Sequence, residues 1–398
     1  MSETNSKSLL KLNLSYALER VLTNSIKFLI PLYLYHGLDN VYALSFGYCI
    51  SFILFTYSGV ISSQLLNKIS NIELMSLAIP VFFIMISGVA IVFFDEFYLS
   101  IFIFCLAIVS GSMLNPILHS RAKSYNASMR AFSTIDKVSV FTSPLLIGII
   151  SIYFNFNSLV YLLLIGWFLI GILLLKTARN SNEVTEKRKN QASLISYFKL
   201  ISNSELIKFI LIRFLVTSTL THSIYSILLV ELKQKYALTD FDVSIFISFG
   251  AVSVLIISFF LKRNSIETSY PWTCILFSGL FSSLMMIIIG LSDGIGFNGN
   301  LIVICLCWGL AMSLSLVNSS IFNHEKQKVY SKEEIVIVAS YTSAVLGISI
   351  VPSLMLTTFI NWYGFDNKIL LVAAISLCVN IFYITRNFER IKSERIRS

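Results

Sequence analysis

Charged side chains inside long apolar runs are the groups in this chain best suited to chemistry. The first run carries Glu19, Arg20 and Lys27. Positions seven apart on an α-helix fall about 20° short of two turns, so Arg20 and Lys27 share a face about 10 Å apart. Asn24 lies between them on that face, and Tyr16 extends it. A later run opens with Asp136-Lys137, and another carries Arg213 followed by Thr217, Ser218, Thr219, Thr221, His222, Ser223 and Tyr225. A charge at the bilayer centre costs roughly 2.5–3.5 kcal/mol on insertion scales, so such a group normally faces a wet cavity or a partner. Arg20, Lys27, Lys137 and Arg213 outnumber Glu19 and Asp136 by two charges. In a low-dielectric site that excess favours an anionic or carboxylate-bearing solute. Arg20, Asn24, Lys27, Arg213 and Thr217 are therefore candidate solute ligands. Glu19 and Asp136 are candidate proton carriers, as is His222, a residue type that titrates near neutrality. The preferred ion pair joins Asp136 to Arg20 or Arg213, because adjacent residues on a helix do not face each other.

The elements that position these residues follow from composition. Of 398 residues 56% are hydrophobic and 13% charged, against roughly 25% charged in a soluble domain. A membrane span needs about 20 apolar helical residues, and runs at 12–36, 43–64, 73–94, 98–119, 132–154 and 158–176 qualify. A polar stretch follows, then further runs at 206–230, 243–261, 271–292, 299–322, 334–360 and 368–386. The runs do not alternate as barrel strands do. The expectation is an all-α membrane protein of twelve transmembrane helices in two six-helix bundles, 1–177 and 205–398. The joining stretch 178–204 ends in an amphipathic segment around 193–206. Basic clusters at 121–130, 176–199, 326–332 and 386–397 fall on one side of that topology, whereas Asp39, Asp95, Glu96 and Asp293 fall on the other. The positive-inside rule then makes both termini cytoplasmic in a multi-pass inner-membrane protein. The six cysteines lie within spans and form no Cys-x-x-Cys pair, so no disulfide or zinc site is implied. No His-Glu-x-x-His, Gly-x-Ser-x-Gly or P-loop lysine motif occurs. A cofactor is therefore not expected, and a proton gradient is the expected energy source. The scattered charge gives no nucleic-acid face.

Six plus six spans around a basic connection resemble the major facilitator superfamily over nearly the whole chain. Its marker between spans 2 and 3, Gly-x-x-x-Asp-Arg-x-Gly-Arg-Arg, corresponds to Gly59–Lys68, with Ser63 in place of the acid. Glu19-Arg20, Lys27 and Leu32-Tyr33-Leu34 are similar to the Glu-x-x-Glu-Arg…Gly-x-Arg…Leu-Tyr-Leu pattern of proton-coupled oligopeptide transporters, with Tyr16 at the first glutamate and Ser25 at the glycine. The acid-arginine pair of span 1, and Asp136 eight residues before Pro144, also look like iron exporters of the ferroportin type. The superfamily resemblance implies that spans 1, 4, 7 and 10 line a central cavity, which adds Asn115 and Asn318 to the solute ligands. The expected protein is a monomeric secondary active transporter in a phospholipid bilayer, not an enzyme. It would move a small metabolite, siderophore or peptide by alternating access. A multidrug exporter or lipid flippase of the same fold, or a membrane-embedded transferase, are the alternatives.

Overall fold

A computed structural model describes residues 3–38, 72–124, 129–154, 158–178, 194–234, 236–264, 269–292, 297–363 and 367–397, with scattered positions between 46 and 64. The expected span 43–64 and the Gly59–Lys68 marker lie largely outside the described residues.

The described chain is helical: α1 (Glu3–Leu38), α2 (Ile72–Phe93), α3 (Glu96–Ser124), α4 (Met129–Tyr153), α5 (Ser158–Ala178), α6 (Leu194–Ser202), α7 (Glu205–Gln234), α8 (Asp240–Asn264), α9 (Pro271–Leu291), α10 (Phe297–Val329), α11 (Lys332–Ile348), α12 (Ile350–Trp362), α13 (Lys368–Arg386) and α14 (Phe388–Arg397). Ten described segments are long and apolar enough to cross a membrane. α1 is not among them, because Lys11, Glu19, Arg20 and Lys27 lower its apolar content.

Helix ends follow local chemistry. Ser331 and Glu334 form a capping box that starts α11. Pro271 opens α9, where a missing N–H costs nothing. The expected single span 334–360 is broken at Ser349, between α11 and α12. Pro352 accounts for the break: its ring clashes with the carbonyl four residues earlier, that of Ile348, and it has no N–H to donate. The basic cluster at 386–397, read only as a tail beyond the last span, contains α14. Glu394 on α14 accepts from the Trp272 and Thr273 amides at 2.9 and 3.2 Å, and so caps α9. Arg390 lies 4.4 Å from the Trp272 ring and 3.1 Å from Glu205.

Burial has the polarity of a membrane protein. α2 exposes Phe82, Met85, Val89, Val92 and Phe93 and buries Ser76 and Ser87. With lipid outside, apolar surface gains nothing by burial, and small residues let helices approach closely. α1 packs on α3, α4 and α5, whereas α9 packs on α10 and α13. These two sets, α1–α5 and α7–α13, meet along α4 with α8, α4 with α10, and α3 with α11. Gly148 of α4 and Gly250 of α8 permit close approach, since a Cβ at either would collide with Ser244 of α8 or with the Phe141 ring of α4. α6 lies at the terminus-bearing face, where its Tyr197 hydroxyl is 3.3 Å from Thr342 and its Leu200 carbonyl accepts from Tyr330.

Candidate functional site

The α1 charges form a compact buried cluster. Arg20 donates through Nε and Nη2 to the two carboxylate oxygens of Glu19, each at 2.6 Å. Adjacent residues were not expected to pair. The long arginine stem allows it, by swinging the guanidinium back around the helix onto its neighbour. Glu19 also accepts from Thr23 at 2.8 Å, which commits both of its oxygens. Asp136 of α4 comes within 3.6 Å of Arg20 Nη1. Asn24 donates to Ser139 at 2.8 Å, and Ser139 donates to the Asp136 carbonyl at 2.7 Å. Glu19, Arg20, Asn24 and Asp136 therefore form one network between α1 and α4.

The facing side of α3 presents Gly111, Asn115 and His119 at four-residue intervals, which places them on one stripe. A Cβ at Gly111 would collide with Thr23 and crowd Glu19, so that glycine sets the distance between α3 and α1. Asn115 follows one turn on, and its buried Oδ1 has no hydrogen-bond partner. His119 packs edge-on to Tyr16, with ring centroids 5.6 Å apart, and Tyr16 stacks on Phe132 at 4.3 Å. Gly111 and Ser139 were not among the expected site residues. Their signal was only positional, a small residue at helical spacing from a polar one.

Lys27 lies two turns beyond Arg20 on α1, within electrostatic reach of Arg20, Asp136 and Glu19. It is half-buried and lines a narrow cleft shared by α1 (Phe28, Pro31, Leu32), α7 (Tyr225, Leu229, Lys233) and α8 (Val243). The cleft lies on the seam between the two helix sets. Its charged lining groups are Lys27 and Lys233, with no carboxylate among the lining residues. His222 of α7 is within electrostatic reach of Lys27. Beyond the cleft, on the face opposite the termini, Asp240 of α8 joins the sets by pairing with His36 of α1 at 2.5 Å and with Lys233. This arrangement was not anticipated, because its members are 204 residues apart. Asp240→Asn is expected to loosen that face. Partly exposed ion pairs contribute about 1 kcal/mol or less each, so a cysteine placed at Leu229 should react with aqueous thiol reagents about two- to fivefold faster. An unchanged rate would show that the pairs do not hold the seam.

Arg213 and Asn318 sit together in a second place. The Arg213 side chain is 2% exposed and donates to the side-chain oxygens of Asn318 at 3.3 Å and Asn380 at 3.0 Å. Ser278 also donates to Asn318, and Asn380 donates to Ser283. A Cβ at Gly279 would collide with the guanidinium. All these contacts lie within the α7–α13 set, among α7, α9, α10 and α13, rather than on the seam. Asp136 is thus near Arg20, and among the described residues no carboxylate pairs with Arg213. The Thr217 hydroxyl donates to the Arg213 carbonyl at 2.9 Å, which satisfies its own helix.

Lys326 was assigned to a loop after a span ending at 322. Instead α10 continues to Val329 and buries it at 2% exposure.

Neither a protein-family model nor a curated protein matches the chain. Solved structures do. A POT family transporter in complex with a thioalcohol-conjugated peptide has 15% identity, TM-score 0.73 and coverage of 97% of this chain and 96% of its own. The human organic anion transporter MFSD10 (TETRAN) has 11% identity, TM-score 0.70 and coverage of 96% and 99%. A bacterial homologue of the iron transporter ferroportin, in an outward-facing state, has 16% identity, TM-score 0.64 and coverage of 95% and 98%. The chain is a multi-pass membrane protein with the major facilitator fold.

Proposed function

We propose that the chain is a secondary active transporter of a small anionic, carboxylate-bearing organic solute across the inner (plasma) membrane. In this reading two six-helix bundles, 1–177 and 205–398, rock about the seam as a monomer, with both termini cytoplasmic. The cleft at Lys27 carries the proposal: Lys27 lines it together with Lys233, whose charge Asp240 offsets, and apart from the Tyr225 hydroxyl the remaining walls are apolar. Apolar walls lower the local dielectric and strengthen the pull of Lys27 on an anion. A POT family transporter of similar fold is in complex with 5-aminolevulinic acid, and another similar structure is an organic anion transporter, which agrees with a carboxylate ligand.

Lys27 would hold the solute's anionic head, while Asn24 and Asn115 would offer polar groups further along α1, toward Arg20 and Tyr16. Arg20 is already neutralised by Glu19, and Arg213 with Asn318 braces the second bundle, so both act away from the solute. Asp136 would carry the proton, because its side chain is 34% exposed and makes one contact with Arg20. Glu19 is fully buried, with both oxygens bonded. His222 would feel the charge at Lys27 and so report occupancy.

The test is proteoliposome uptake across a panel of carboxylates, neutral solutes and organic cations, with and without a pH gradient. The wild type should accumulate a subset of the acids. Lys27→Ala should lose uptake by about tenfold or more, the effect of removing one charge-assisted bond of about 1.5–3 kcal/mol. Uptake of cations alone would overturn the reading.

A further inference from the structure

The seam carries a second pair of basic residues, a lysine and a histidine, at its other end, close to the terminus-bearing face. Lys326 is buried on α10, with Nζ 5.5 Å from the Phe322 ring centroid. It does not reach water as a snorkelling lysine does. Three residues earlier, the Asn323 amide donates to Ser133 of α4 at 2.8 Å, which places this stretch of α10 against the other helix set. From that other set comes His119 of α3, 6% exposed, with a buried Nδ1 that has no hydrogen-bond partner. His119 is within electrostatic reach of both Lys326 and Arg20, and its ring is held by Tyr16 and Phe132.

Among the described residues no carboxylate pairs with Lys326. Glu325, its neighbour, is turned toward Ser204 at 3.5 Å. An ammonium withdrawn from water without a counter-charge is costly, and an apolar residue would pack here without that cost. Lysine and histidine, one from each helix set, together supply N–H donors at a point where the sets must part if this face opens. Lys27 and His119 each lie within electrostatic reach of Arg20, so basic side chains continue along the seam from the cleft toward this face.

We propose that Lys326 and His119 form a second anion-binding station on the seam, near the terminus-bearing face, which receives the carboxylate or other anionic head of the solute after it leaves Lys27. This rests on the reading of the chain as an anion transporter. Because the two residues come from opposite helix sets, the station is complete when this face is closed and divided when it opens. An anion held there would favour closure, and separation of the sets would release it.

The experiment reads the local field and needs no knowledge of the solute. Asn323→Cys, one turn from Lys326, is introduced into the full chain in proteoliposomes. Its modification is followed by peptide mass spectrometry, so the native cysteines stay in place. Two methanethiosulfonates of similar size are compared, one bearing a sulfonate and one a trimethylammonium group, each normalised to its rate with free cysteine. The sulfonate should react about tenfold faster or more, as expected for a focused positive potential. Adding Lys326→Gln should bring the ratio to near unity, and adding Lys326→Arg should preserve it. A ratio near unity with Lys326 present, a ratio indifferent to Lys326→Gln, or no modification by either reagent would each overturn the proposal. Failure here would leave the Lys27→Ala uptake result standing, and failure of that uptake result would not alter the measured ratio.

Discussion

Asp136→Asn is expected to reduce pH-gradient-driven accumulation by about tenfold or more, to the level of simple equilibration, while solute exchange across the same membrane persists. The reason is the asymmetry of the two carboxylates around Arg20. Glu19 grips the guanidinium with both oxygens and is fully buried. Asp136 approaches it with one oxygen at 3.6 Å and leaves its side chain 34% exposed. Protonating Asp136 removes one of the two negative charges beside Arg20 and raises the positive charge of the network, which favours an incoming anion by reciprocal coupling. The Asp136 backbone also receives the Ser139 hydroxyl, which in turn accepts from Asn24, so a change at Asp136 is transmitted to α1. An asparagine keeps the shape and loses the titration. Glu19→Gln supplies the contrast, because breaking a buried pair on one side costs about 3 kcal/mol, so its main effect should be a lower unfolding temperature. Gradient-driven accumulation and counterflow exchange, measured side by side, check the assignment. Equal loss of both in Asp136→Asn would refute it.

Gly279→Ala should be among the most damaging single-methyl changes in the protein. The added carbon would meet the Arg213 guanidinium and the Asn380 side-chain oxygen, in a region closed by Asn318, Ser278 and Ser283. Overpacking costs typically 1–3 kcal/mol, and hydrogen bonds to a charged group contribute about 1.5–3 kcal/mol each. A loss of about 3 kcal/mol or more is therefore expected, read as a fall in the thermal midpoint and in the yield of folded protein. Combining Gly279→Ala with Arg213→Met should recover much of that loss, because the flexible, uncharged side chain removes both the clash and the buried charge. Wild-type stability in Gly279→Ala would refute the packing described for α7, α9 and α13.

The membrane spans were legible because their signal is additive: twenty apolar residues in a row need no partner to be recognised. The helices α2, α4, α5, α7, α8, α9 and α13 accordingly begin and end within a few residues of expectation, whereas α3 and α10 run further. The break at Ser349 was not legible, since mean hydropathy is unchanged across it and only the reach of Pro352 to residue 348 marks it. α14 was missed because its charges read as a solvated tail, although Glu394 and Arg390 act through contacts with Trp272 and Glu205. Spacing placed Arg20, Asn24 and Lys27 on one face of α1, but azimuth on a single helix does not say which helix lies opposite. Asn318 was expected in a cavity shared with Arg213 through the superfamily resemblance; in the structure Arg213 meets both Asn318 and Asn380, the lone asparagine of α13. Lys326 was placed outside the membrane by the same logic that located the spans, since a lysine past the apolar run ordinarily belongs to a loop.

The carboxylate that closes the amino end of α9 belongs to Glu394, 122 positions beyond Trp272. During translation α9 is therefore made, and available for insertion, well before its cap exists. Until α14 emerges and docks, the Trp272 and Thr273 amides can be satisfied only by water or lipid headgroups. Maturation of this region is consequently a late event, timed by the emergence of Glu394 from the ribosome rather than by the folding speed of α9 itself.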